Sequence, residues 1–141
     1  VILVKIRYVE FKDQTFWYRL DKHLSPKEFR KKVENKEGYI LLNDNKAIGL
    51  LRYNFFWDNI PFCTMLSIDK KFQNNGYGKM MMEFWENEMK WQGHKIVLTS
   101  TRVDEKAQDF YRKLGYQDCG GLLINNDEFK QPMELFLIKT L

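Results

Sequence analysis

The run Gln73-Asn74-Asn75-Gly76-Tyr77-Gly78-Lys79 carries the chemistry that residue type and spacing make easiest to name. Two closely spaced glycines follow an apolar stretch (Met65, Leu66, Ile68), and the segment from Lys79 to Gln92 behind them holds neither Gly nor Pro. That order reads as strand, glycine turn, helix. A helix opening directly after glycines leaves its first amides unpaired and pointing outward, where the positive end of the helix dipole favours an anion. The anion expected is a phosphate. A Walker loop would need glycine at Gln73 and a hydroxyl at Met80, and a dinucleotide fingerprint starting at Gly76 would need glycine at Met81. Both nucleotide patterns therefore fail.

The elements that must position this turn follow from the rest of the pattern. Val4, Ile6 and Tyr8, with Ile2 before them, alternate along a first strand. A short helix is expected over Gln14 to Leu20. The next helix is announced by Ser25 as cap, Pro26 at the first position and Glu28 completing a capping box, with Leu24 and Phe29 as a hydrophobic staple; it should run to about Lys36 and stop before Gly38. Tyr39 to Leu42 and Ala47 to Phe56 read as strands of a hairpin turned by Asn43-Asp44-Asn45. Trp57 to Pro61 leads into the strand that ends at the glycine turn. After the long helix come a strand from Lys95 to Ser100, which must run parallel to the one before the turn, and a helix from an Asp104 cap to Leu114. Two closing strands lie near Tyr116 to Ile124 and Met133 to Thr140.

Composition narrows the function classes. A chain of 141 residues forms one domain, 1–141, with enough residues for a core without disulfides or metal. Its 44% hydrophobic and 16% aromatic content favours a packed globule over a disordered chain. The net charge of +4 comes from interleaved acids and bases, so no nucleic-acid partner is expected. Cys63 and Cys119 are not in CxxC spacing and His23 and His94 stand apart from them, so free thiols are expected and no metal site. The first residues do not resemble a signal peptide and no apolar run approaches spanning length, so a soluble, cytoplasmic protein with no membrane partner is expected.

Gln73, Gly76 and Gly78 match Gln/Arg-x-x-Gly-x-Gly/Ala, and the chain here resembles the GNAT superfamily of N-acetyltransferases. The flanks extend the resemblance: Leu66-Ser67-Ile68-Asp69 before the turn, and Asp104, Ala107, Phe110-Tyr111, Lys113 and Gly115-Tyr116 in place of the family's Asn-x-x-Ala-x-x-Leu-Tyr-x-Lys-x-Gly-Phe. It departs in Asp104 for Asn, Phe110 for Leu and Tyr116 for Phe. Close resemblance covers about a third of the chain, and the element order covers the rest. It implies an α/β (α+β) GNAT fold: a mixed sheet of about seven strands with about four helices in three α-β-α layers.

The resemblance implies acetyl-CoA as cosubstrate and transfer of its acetyl group to a primary amine of a small molecule or peptide by direct attack on the thioester. The cofactor's pantetheine arm would pair with the main chain of Leu66, Ser67 and Ile68. Main-chain groups of Asn74, Asn75, Gly76, Tyr77, Gly78 and Lys79 would hold the pyrophosphate, with Gln73, Asp104, Ala107 and Phe110 beside it. Tyr111 would be the hydrogen-bond donor to the leaving thiolate. With a phenol near pKa ~10 and a thiol near ~8.5, full proton transfer is uphill by roughly 2 kcal/mol, so donation is favoured over transfer. The strand before the turn carries no acid, which leaves Asp58 and Glu134 as candidate bases. Acceptor contacts are expected from Trp17, Phe55 and Trp57, although rings of this kind are as often core as site. The net positive charge gives no support to a strongly cationic acceptor, unless one local acidic patch reverses it. Homodimers are common among such domains, but no stretch specifies an interface. The competing class is a non-catalytic acyl-CoA-binding or sensing module on the same fold.

Overall fold

A computed structural model describes residues 3–141; Ile2, assigned above to the first strand, lies outside the described residues. The elements run β1 (Val4–Tyr8), α1 (Gln14–Leu20), α2 (Pro26–Asn35), β2 (Gly38–Asn43), β3 (Lys46–Phe56), β4 (Ile60–Ile68), α3 (Tyr77–Trp91), β5 (Ile96–Arg102), α4 (Ala107–Lys113), β6 (Gln117–Leu122) and β7 (Glu134–Thr140), with 3₁₀ turns at Phe11–Asp13 and Lys70–Phe72. The described strands form one seven-stranded mixed sheet in the order β1-β2-β3-β4-β5-β7-β6. Only β4 and β5 pair in parallel.

Strand periodicity divides the core between the two faces. Along β2, Ile40 and Leu42 join Trp17 of α1 and Phe29 of α2, whereas Tyr39 and Leu41 join Met82, Trp85 and Met89 of α3. The result is three layers, α-β-α. Trp17, Trp85, Met82 and Met89 are fully buried, and burial of a large apolar side chain contributes roughly 1.5–3 kcal/mol. The β2–β3 hairpin turns through Asp44 and Asn45 at φ 49° and 66°, the two left-handed residues that a two-residue turn between twisted strands requires.

Two local expectations, the capping box and the Asp104 cap, are corrected, while the end of α2 falls where the sequence puts it. The Ser25 hydroxyl accepts from the Glu28 amide (3.2 Å), but no reciprocal Glu28 bond completes the box, because that side chain accepts instead from Lys31 (3.3 Å). The helix α2 ends on Lys36 in left-handed conformation (φ 56°), two residues before the glycine. Asp104 does not cap α4, whose N-cap is Lys106; Arg102 takes the Asp104 carboxylate in a two-pronged pair (3.1 and 2.8 Å) and holds it on the preceding turn.

The sheet forks where β4 meets β5. Their pairing is confined to Phe62 with Leu98 and Cys63 with Thr99. Beyond that point β4 continues to Ile68 and β5 to Arg102, each held only on its outer edge, by β3 and β7. The Thr99 hydroxyl donates to the Cys63 carbonyl (3.1 Å) at the crotch of the fork.

Candidate functional site

A cavity of about 630 Å³ opens on one side of the fork. Leu66 and Ile68 of β4 form one wall, Ala107, Phe110 and Tyr111 of α4 the other, and Gln73, Asn74, Gly76, Tyr77, Gly78 and Lys79 its end. Gly76 caps α3 at φ 81° with no side-chain cap, so the Tyr77, Gly78 and Lys79 amides have no capping acceptor, while Met80 N–H closes the first helical bond to the Gly76 carbonyl (3.1 Å). A side chain at Gly76 would be strained by that φ, and a Cβ at Gly78 would lie 3.3 Å from the Phe110 ring. The loop is tied from below. The Gln73 side-chain amide donates to the Ile68 carbonyl (2.9 Å), and that of Asn75 to the carbonyls of Phe72 and Gln73 (3.2 and 3.1 Å).

Tyr111 stands between this cavity and a second one of about 500 Å³ on the other side of the fork; Leu66 and Ala107 line both as well. Only 7% of Tyr111 is exposed. Burial raises its phenol above the ordinary value and the neighbouring Cys63 thiol adds to this, while the Thr99 hydroxyl opposes it. The second cavity is walled by Cys63, Thr64 and Met65 of β4 and by Thr99 to Arg102 of β5. His23, Glu105, Gln131 and Glu134 stand around it. Thr64 is fixed from beneath: Arg52 donates to its hydroxyl (2.9 Å) and to buried Asp21 (2.7 Å).

The expected residues divide clearly. Ser67 and Asn75 lie on the strand and loop but do not line the cavity, and Asp104 is held off it by Arg102. Phe72 and Lys106, unforeseen, do line it; adjacency to Gln73 and Ala107 was the available signal. Asp58 sits in the β3–β4 turn, at the end of β4 opposite the glycine loop, so it is withdrawn as a base. Glu134, paired across strands with Arg102, faces the second cavity. The acceptor rings are corrected too. Trp17 is fully buried and donates to Asp21 (3.1 Å), Phe55 packs on Tyr53 and His94, and Trp57 lies 75% exposed in the remote β3–β4 turn. Large rings serve core and site equally well, so their types alone could not separate the two.

The forked sheet, the glycine loop and the tyrosine define an acetyltransferase architecture. The family model described as "Acetyltransferase (GNAT) family" matches residues 3–116, and the chain belongs to that family. It is 35% identical over 100 residues to the uncharacterized protein YxbD of Bacillus subtilis (strain 168), a match covering 70% of this chain and 60% of that protein. The chain thus spans about 60% of the length of that curated relative. Among solved structures, Ard1 from Thermoplasma volcanium superposes with a TM-score of 0.86 at 15% identity, covering 98% of this chain and 97% of that one. Arabidopsis thaliana Naa50 in complex with the bisubstrate analogue CoA-Ac-MVNAL gives 0.79 at 13% identity, covering 98% and 99%. At these identities the two structures establish the fold. Among the described residues no group of His, Cys, Asp and Glu could hold a metal, and no helix is long and apolar enough to cross a membrane.

Proposed function

We propose that the protein is an N-acetyltransferase that moves the acetyl group of acetyl-CoA to a primary amine of a small molecule or peptide by direct attack on the thioester. The fork carries this reading: one cavity joins the uncapped amides of α3 to a strand edge without a partner and to Tyr111. The donor set fits the cosubstrate. Amides of Tyr77, Gly78 and Lys79 suit a pyrophosphate, with Lys106 on the facing wall, and the open edge of β4 suits the amides of a pantetheine arm. Acetyl-CoA, when bound, supplies an acetyl group already activated as a thioester.

The chain's own residues then have separate tasks. Tyr111 donates a hydrogen bond to the departing sulfur, and its raised pKa makes donation without transfer the stable arrangement. An alkylamine of pKa ~10.4 is neutral only about once in ~2,500 molecules at pH 7, so a proton must be removed. Glu134 receives it through water, since β4 carries no acid and Asp58 lies at the far end of that strand.

The test is calorimetric titration with acetyl-CoA, using Gly76→Asp as the control, followed by thiol release across a panel of amines. The expected result is binding that the variant loses, together with amine-dependent release. Binding with no turnover on any amine would favour a non-catalytic acyl-CoA-binding module, and absence of binding would overturn both readings.

A further inference from the structure

We infer that the Thr64 hydroxyl is the hydrogen-bond acceptor that orients the attacking amine. This rests on the transferase reading and deepens it on the acceptor side. Thr64 is the extra residue of β4: Met65 pairs with Arg52 and Cys63 with Tyr53, so Thr64 has no partner in register on β3. Such a bulge re-aims the side chain it frees, and this one lines the second cavity, the cavity that Tyr111 also reaches.

The single hydrogen of this hydroxyl is already committed. Its oxygen accepts from the Arg52 guanidinium (2.9 Å) and donates to the Arg52 carbonyl (3.3 Å). A hydroxyl has one donor and two lone pairs, so one lone pair is left over. Arg52 is held in turn: its Nε donates to Asp21 (2.7 Å), a fully buried carboxylate that also accepts from the Trp17 indole (3.1 Å) and the His23 amide (3.2 Å). A buried ion pair is a poor source of net stability, but this one fixes the direction of a hydroxyl at the cavity wall. Thr99, across the fork, likewise commits its hydrogen, to the Cys63 carbonyl, but it is only 1% exposed. A neutral primary amine turns its own lone pair to the thioester carbon and has two N–H groups left to place. The water leading to Glu134 receives one, and Thr64 receives the other. A secondary amine has a single N–H and cannot use both acceptors.

The experiment measures thiol release at saturating acetyl-CoA. The probe is n-butylamine, or the fastest amine of the panel, against its N-methyl derivative. In Thr64→Val, which keeps the side-chain shape, the primary-to-secondary ratio of kcat/KM should fall by about fivefold, the contribution of one hydrogen bond. Thr64→Ser should keep the wild-type ratio within about twofold, and Thr64→Ala gives a second reading of the loss. A purely structural role would slow both amines alike and leave the ratio where it was. Coenzyme A affinity serves as the folding control. A ratio unchanged in Thr64→Val and Thr64→Ala, or lost equally in Thr64→Ser, would overturn the inference and leave the transferase reading intact. No release from the wild-type protein with any amine would sink the transferase reading and this inference with it.

Discussion

Tyr111 and Cys63 share the crotch of the fork, and burial acts on both in the same direction. The phenol is raised, so it stays protonated across the ordinary assay range. Tyr111→Phe should lower kcat by about tenfold or more and leave the acetyl-CoA dissociation constant within about twofold, because on the proposed mechanism the lost bond forms only as the sulfur departs. Any basic limb of the rate profile below pH ~10 must then belong to another group. The Cys63 thiol is pushed up to about 12 by burial, which leaves it protonated and poorly nucleophilic. Alkylation of the native protein should therefore modify exposed Cys119 and reach Cys63 only on unfolding, as peptide mapping would show. Early modification of Cys63 would mean that the fork opens in solution.

At the level of elements the fork is held by a short span of pairing and one hydroxyl. Thr99→Val leaves the buried Cys63 carbonyl without its side-chain donor and should cost about 1–2 kcal/mol in denaturant unfolding. Acetyl-CoA should slow amide exchange in Thr64–Ile68 and Tyr77–Lys79 and leave β1 unchanged, which deuterium exchange would map. The strand-turn-helix around Gly76 was legible because glycine placement and apolar periodicity are local properties. The fork was legible only through the resemblance, since nothing in Phe62 to Ile68 marks where pairing with β5 stops. Asp104 misled because a cap residue and an arginine partner are the same chemical type, and the choice between them depended on Arg102 two positions earlier. Asp58 and Trp57 misled for a different reason: nearness in sequence to β4 put them at the end of that strand away from the glycine loop.

For the whole molecule, the tyrosines link stability to pH. Tyr39, Tyr53, Tyr111 and Tyr116 all have phenols raised chiefly by burial; Glu88 accepts from Tyr39 (2.8 Å) and Glu86 from Tyr116 (2.8 Å). Above the ordinary tyrosine pKa of ~10 the unfolded chain releases these protons and the folded one retains them, so stability is complete below that pH and falls as pH rises past it. Alkaline titration should show the tyrosinate absorbance of these four buried tyrosines, out of seven, appearing together with loss of circular dichroism above pH ~10. The common wall of the two cavities also has a kinetic meaning. Leu66, Ala107 and Tyr111 line both cavities, so on the proposed function a cosubstrate in the first would finish the surface offered to an amine in the second. Affinity for the amine should rise when the cosubstrate is present, and by thermodynamic reciprocity the cosubstrate should be held more tightly by the same factor when the amine is present. Initial-velocity plots should therefore intersect rather than run parallel: the enzyme would carry both reactants at once and never store the acetyl group on itself.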